Sequence, residues 1–238
     1  MRNRLLLVFA ATSLMVGMLA ATDGREELER ATRRTSQLDS YSFVTSYQLQ
    51  GLRLLQAPYE VRGTWQRGIA YFRSESAGRE AEVYRMNGRR VIRKQSGGWE
   101  SAPSKGRDGR EGGRGPKTPH EDLEALGSEV RAVSRSDGFE MVSSRRCVAY
   151  EAELTAQGTR DLIPLVGIPI DTSDGGKARI WVDDEGIIRK YSMVGDVKVT
   201  VLGRRFNLRA TNTTELNDIG KTGPTPPDEV MRLLKAGK

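Results

Sequence analysis

The chain has one cysteine and one histidine among 238 residues. Each scarcity removes a class of function. Cys147 alone cannot form an internal disulfide, so the fold must rest on an ordinary core. His120 alone rules out multi-histidine zinc sites, and it leaves a Ser-His-Asp triad only one candidate base, with no partner recognisable from sequence. Cys147 lies in a strand-like pattern with nothing nearby to depress its pKa, so it reads as a small buried residue.

Nucleotide and metal loops are also missing. Gly115-Pro116-Lys117-Thr118 places Pro116 between the Gly and the Lys of a phosphate loop. Gly220-Lys221-Thr222 has Glu215 where that loop needs its first Gly. Asp183-Asp184-Glu185 lacks calcium-loop spacing and sits where a hairpin turn is expected, so a structural turn is the first reading and a metal or acid/base role the alternative. Asn212-Thr213-Thr214 matches a glycosylation acceptor, relevant only to a eukaryotic secretory route. No cofactor motif is present, and the reading calls for none. The mean hydropathy of −0.53 and 37% hydrophobic content suit a globular chain. The net charge of +7 falls to +5 without Arg2 and Arg4. Such a surface draws anionic partners such as lipid headgroups, but the excess is also that of an ordinary solvated surface.

The N-terminus is the most informative stretch. Met1-Arg2-Asn3-Arg4 is basic, Leu5 to Ala21 is uncharged and apolar, and Thr22-Asp23-Gly24-Arg25 turns polar. This order predicts a signal peptide over 1–22, with an uncleaved anchor as the alternative. No Cys follows the small residues Ala20 and Ala21, so a lipid-modified N-terminus is not expected. The remaining 23–238 suffices for one domain.

Asp23 to Leu38 reads as a helix opened by a capping box of Asp23 and Glu26. The period then becomes two. Tyr41, Phe43, Thr45, Tyr47 and Leu49 share one face of a long strand. Tyr59–Trp65, Ile69–Glu75, Glu82–Met86 and Arg90–Lys94 continue a meander, with Asn87-Gly88 as the strongest hairpin signal. A glycine-rich charged segment at 104–118, with five glycines, reads as a flexible loop. Pro119 to Val133 looks helical. Strands resume at Phe139–Val142, Arg146–Leu154, Lys177–Val182, Ile187–Met193, Asp196–Leu202 and Phe206–Leu216, and Pro226-Pro227 opens a last helix. Asp161 to Ile170 is apolar without period, and Pro164 and Pro169 bar regular structure there.

The expected fold is α+β: a single curved antiparallel sheet of about ten strands, an unclosed β-barrel, with helices packed on the concave face. Strand alternation puts Phe43, Tyr47, Val61, Trp65, Tyr71, Val83, Ile180, Val182 and Tyr191 on a broad apolar face. That face either encloses a ligand cavity or is filled by its own side chains. Leu162, Leu165, Val166 and Ile168 are candidate lid or rim residues.

Three segments carry a family resemblance. The entry through Leu38-Asp39-Ser40-Tyr41-Ser42-Phe43 resembles the start of LolA-like periplasmic proteins. Ile180-Trp181-Val182-Asp183-Asp184-Glu185-Gly186-Ile187-Ile188-Arg189 is similar to the Trp-Ile-Asp hairpin of LolA and of the LppX/LprG lipoproteins. Leu216-Asn217-Asp218-Ile219-Gly220-Lys221 and the prolines after it resemble their ending. The resemblance implies an unclosed barrel with a helical lid and a cavity for acyl chains. It implies a periplasmic or otherwise exported carrier for lipids or lipoprotein acyl chains, with an inner- or outer-membrane protein as a further partner, no nucleic acid and no catalysis. The alternative within the same fold is an RseB-like regulatory or scaffold domain without lipid cargo. The lack of a lipobox Cys and the 104–118 loop depart from the LppX/LprG pattern.

Overall fold

The computed structural model describes residues 24–51, 59–76, 79–102, 117–162, 170–201 and 203–236. The expected signal segment 1–22, Leu165, Val166, Ile168 and most of the 104–118 loop lie outside them.

Helix α1 covers 24–36. It leads into β1 (Ser40–Gln50), and a meander follows: β2 (Tyr59–Gln66), β3 (Ile69–Ser76), β4 (Arg79–Met86), β5 (Arg89–Arg93) and β6 (Trp99–Ala102). Then come α2 (Pro119–Glu129), β7 (Val130–Arg135), β8 (Glu140–Val142), β9 (Arg145–Leu154) and α3 (Ala156–Leu162). The chain ends in three long strands, β10 (Ile170–Asp183), β11 (Ile188–Val201) and β12 (Arg204–Asn217), and in α4 (Asp228–Lys235).

All strands form one 12-stranded antiparallel sheet in the order β6-β5-β4-β3-β2-β1-β12-β11-β10-β9-β7, with β8 also on β9. The sheet is curved and unclosed, as the residues suggest, with twelve strands rather than ten. One added strand is β7. Helix α2 stops at Glu129 and Val130 turns extended, although Val130 and Val133 continue the apolar spacing of the helix. A three- or four-residue apolar spacing survives a helix-to-strand switch when both ends meet the same core. The meander is joined by tight two-residue turns. Asn87 and Gly88 (φ 50° and 76°) and Arg67 and Gly68 (φ 45° and 88°) take the left-handed conformation that matches strand twist.

The two sheet faces are covered unequally. Phe43, Val61, Phe72, Ile180, Ile188, Tyr191, Met193 and Leu216 are buried together with Leu28 and Ala31 of α1 and Leu123 and Leu126 of α2. These helices mark the concave side. A separate cluster lies on the opposite face, where Tyr84 and Val91 pack with Val230 and Leu234 of α4. The expectation of helices on the concave face therefore holds for α1 and α2, while α4 covers the convex side. A third cluster, Val142, Cys147, Ala149 and Trp181, buries the single cysteine; burial pushes its thiol up to about 11.

Candidate ligand-binding face

The centre of the concave face follows from strand register. Pairing aligns Tyr150, Ile180, Tyr191, Thr214, Thr45 and Val61 in one row across six strands. The next row on the same face runs Leu216, Phe43, Gly63, Phe72 and Val83. Gly63 is required there. A Cβ at that position would enter the Phe43 ring and approach the Tyr71 carbonyl oxygen within 2.7 Å. The glycine lets Phe43 lie across β2 and meet Phe72 edge-on at 5.8 Å.

The helical cover is fastened by polar contacts. Thr118 caps α2 and closes a capping box with Glu121, whose carboxylate also pairs with Arg85 of β4. One residue before and one after Glu121, the helix reaches the sheet. His120 Nδ1 lies 2.7 Å from the Tyr41 hydroxyl, and the ring packs tilted against Trp65 at 4.6 Å. The Tyr191 hydroxyl donates to Asp122 Oδ2 at 2.9 Å. Helix α1 is held by Thr35, whose Oγ1 accepts from the Ile188 amide at 2.9 Å, and by Glu27, which accepts from the Tyr150 hydroxyl at 2.6 Å.

The electrostatics of this cover are unusual. Asp122 is buried, its Oδ1 has no hydrogen-bond partner among the described residues, and burial raises its carboxyl to about 7; the Tyr191 bond only partly opposes this. Burial lowers His120, against the pull of the Ser36 carbonyl and of Glu124 and Glu121. Burial also raises Tyr41, Tyr47 and Tyr191, so all three stay protonated as donors. The concave face thus carries neutral hydroxyls and a near-neutral carboxyl among aliphatic and aromatic side chains.

Of the residues singled out in sequence, Phe43, Tyr47, Val61, Ile180, Val182 and Tyr191 are buried together on this face. Trp65 and Val83 are half-buried against them. Tyr71 is elsewhere. It pairs with Tyr84 at 4.8 Å on the convex face, beneath α4. Tyr71 follows Ala70 and precedes Phe72, both on the concave face, so strand alternation turns it outward. Leu162 is the last residue of α3. Leu165 falls in 163–169, outside the described residues.

Asp122 is not singled out by the sequence reading, and His120 enters it only as a candidate catalytic base without a partner. Asp122 lies one residue before Leu123 and four before Leu126, within the apolar stripe of α2, and a carboxylate inside such a stripe is the signal that points to it. His120 gains its partners only through folding. Asp183 acts in the turn. Its Oδ1 accepts from the Glu185 and Ile187 amides at 3.0 and 2.8 Å, and its Oδ2 from Arg189 Nε at 2.5 Å. Both its oxygens are engaged by the protein itself.

The described grooves lie away from the centre of this face. One of about 490 Å³ runs past Gln50, Gly51, Asp174, Lys198 and Asn207, at the end of the sheet opposite the Asp183 turn. It is next to the points where segments 52–58 and 163–169 leave β1 and enter β10.

Comparison with solved structures decides the fold relationship. Mycobacterium tuberculosis lipoprotein LppX superposes with a TM-score of 0.53 at 10% identity, covering 86% of this chain and 99% of LppX. LprF from Mycobacterium bovis gives 0.57 at 14% identity, covering 87% of this chain and 98% of LprF. The chain has the LolA/LppX–LprG-like fold. A LolA superfamily protein from Nitrosomonas europaea is also similar, with a TM-score of 0.33 at 11% identity. No family model and no curated protein matches the sequence. In this chain α1 and α2 pack Leu28, Ala31, Leu123 and Leu126 against one face of the open sheet. Among the described residues, no helix is long and apolar enough to cross a membrane.

Proposed function

We propose that this protein is an exported, non-catalytic carrier or binding protein for lipids or lipoprotein acyl chains, which it holds between the concave face and its helical cover. One observation carries the reading. The face is lined by Phe43, Val61, Ile180 and Met193, and α2 covers it with two buried leucines, Leu123 and Leu126, plus discrete polar contacts at His120, Glu121 and Asp122. Water can replace the polar ties, and a bound acyl chain can replace the Leu123 and Leu126 contacts, so such a cover lifts without unfolding the sheet. The apolar surface it leaves would gain ~0.8 kcal/mol per methylene of a bound acyl chain. Likeness to a lipoprotein fold, the basic-then-apolar N-terminus and the absence of a Cys after Ala21 support a soluble exported form.

The test is direct. Purified protein is extracted with organic solvent, lipid is sought by mass spectrometry, and a fluorescent fatty acid is titrated in. Co-purified lipid and a displaceable probe support the carrier. Lipid-free protein that binds no probe sinks it.

A second reading has its own support. Tyr41, Val61, Ile180, Ile188 and Tyr191 are fully buried, so the described part of the face is packed by the chain itself. That packing suits a regulatory or scaffold domain of the envelope, and the same titration separates the two.

A further inference from the structure

Two large apolar side chains stand out from the surface: Phe139 is 56% exposed and Met141 69% exposed. They belong to the β7–β8 turn and to β8, three residues long and paired to β9. Strand alternation puts both on one side. Met141 is paired with Arg146, whose guanidinium lies 3.4 Å from the centre of the Phe139 ring. Among the described residues Arg146 has no carboxylate partner. Its neighbour Glu140 points to the other face, where it binds Arg179 and Trp181. Two hydrophobes beside one unneutralised cation have the chemistry of a lipid headgroup boundary.

The path of the chain supplies the second argument. A groove of about 370 Å³ is lined by Gly24 and Glu27 of α1 and by Arg135 to Phe139. A Cβ placed on Gly24 would sit 3.5 Å from the Arg135 amide nitrogen, so α1 begins against the base of this turn. In sequence, the apolar run Leu5–Ala21 ends three positions before Gly24. Helix α1 therefore begins beside the Phe139–Met141 tip, and the expected membrane-directed segment precedes it in sequence. We propose that Phe139, Met141 and Arg146 form a bilayer-docking tip, with the two hydrophobes in the interface and Arg146 on an anionic headgroup. The tip would orient the domain on the membrane surface, whether or not the sheet holds a lipid.

The test uses the full chain on vesicles of phosphatidylglycerol and phosphatidylethanolamine. Met141→Cys is labelled with an environment-sensitive fluorophore, and Cys147 is buried with a raised pKa and stays unlabelled. Arg204→Cys, exposed at the far end of the sheet, is the control. The expected result is a blue shift and quenching by nitroxide lipids at position 141 and neither at 204. Phe139→Ser should lower the docked fraction about tenfold, the loss expected from one aromatic side chain in the interface. Arg146→Glu should weaken docking on these vesicles and leave it unchanged on phosphatidylcholine. A position-141 label that stays in water on vesicle-bound protein overturns the proposal. So does equal quenching at 141 and 204. A blue shift that appears without vesicles and grows with protein concentration overturns it in favour of self-association. All four replaced side chains are exposed, so the fold survives each substitution.

Discussion

The Tyr191 hydroxyl on β11 donates to Asp122 Oδ2 on α2 at 2.9 Å, joining residues 69 positions apart inside the concave face. This contact ties the helical cover to the middle of the sheet. Burial places Asp122 near neutrality, so the cover is coupled to pH.

Folding raises Asp122 from the ordinary aspartate range to about 7, so the folded chain keeps a proton that the unfolded chain releases. Its stabilising contribution is complete below the unfolded value near 4 and is lost as pH rises to about 7. The loss is on the order of a few kcal/mol. His120, lowered by burial, acts in the opposite sense: its contribution is present above the ordinary histidine range and fades on acidification. Denaturant melts from pH 4 to 8 should show stability falling toward neutrality. Asp122→Asn should flatten that slope, and an unchanged slope would remove Asp122 from the account.

Gly63 lies under the Phe43 ring. Gly63→Ala forces the ring or the β2 backbone aside at a cost of about 1–3 kcal/mol. Thermal unfolding should register it, and Gly63→Ala combined with Phe43→Leu should recover part of the loss.

The Asp183–Arg189 pair is buried at the β10–β11 hairpin. Asp183→Ala leaves the buried Arg189 with only its longer 3.6 Å contact to Glu185, and leaves the Glu185 and Ile187 amides without their acceptor. The expected cost is about 3–5 kcal/mol. A calcium titration of the native chain should give no thermal shift, because both Asp183 oxygens are already engaged. A clear shift would reopen the metal reading.

The two sheet faces should separate by function. Tyr71→Phe removes the 2.8 Å bond to Glu82 beneath α4 and costs about 1 kcal/mol, with fatty-acid probe binding unchanged. Val61→Asp, at the centre of the concave face, should abolish probe binding in whatever fraction folds. Equal effects from both would argue against a concave ligand site.

Much of the architecture is legible locally. Alternation in Tyr41–Leu49, the Asn87-Gly88 hairpin and the Asp183–Gly186 turn depend on backbone geometry and near neighbours, and each appears where the residues indicate. The segments that read as separate short strands, such as Ile187–Met193 and Asp196–Leu202, join into one 14-residue β11. Gly195 interrupts the apolar pattern in sequence but keeps the alternation: it stays on the buried side with Met193 and Val197, in register with Ala210 of β12.

Sequence by itself determined the period of each strand, and so which residues share a face, because side-chain direction alternates with every residue. It could not determine which face is concave, since both carry aromatics: Phe72 on one side, Tyr71 and Tyr84 on the other. Tertiary packing decided that by setting α1 and α2 against Phe43 and Tyr191 and α4 against Tyr84 and Val91. It also decided the polar ties of the cover. His120 and Asp122 find Tyr41 and Tyr191 about 70 to 80 residues away in sequence, and only the closed sheet–helix layer removes the water that would otherwise keep the Asp122 carboxyl ionised.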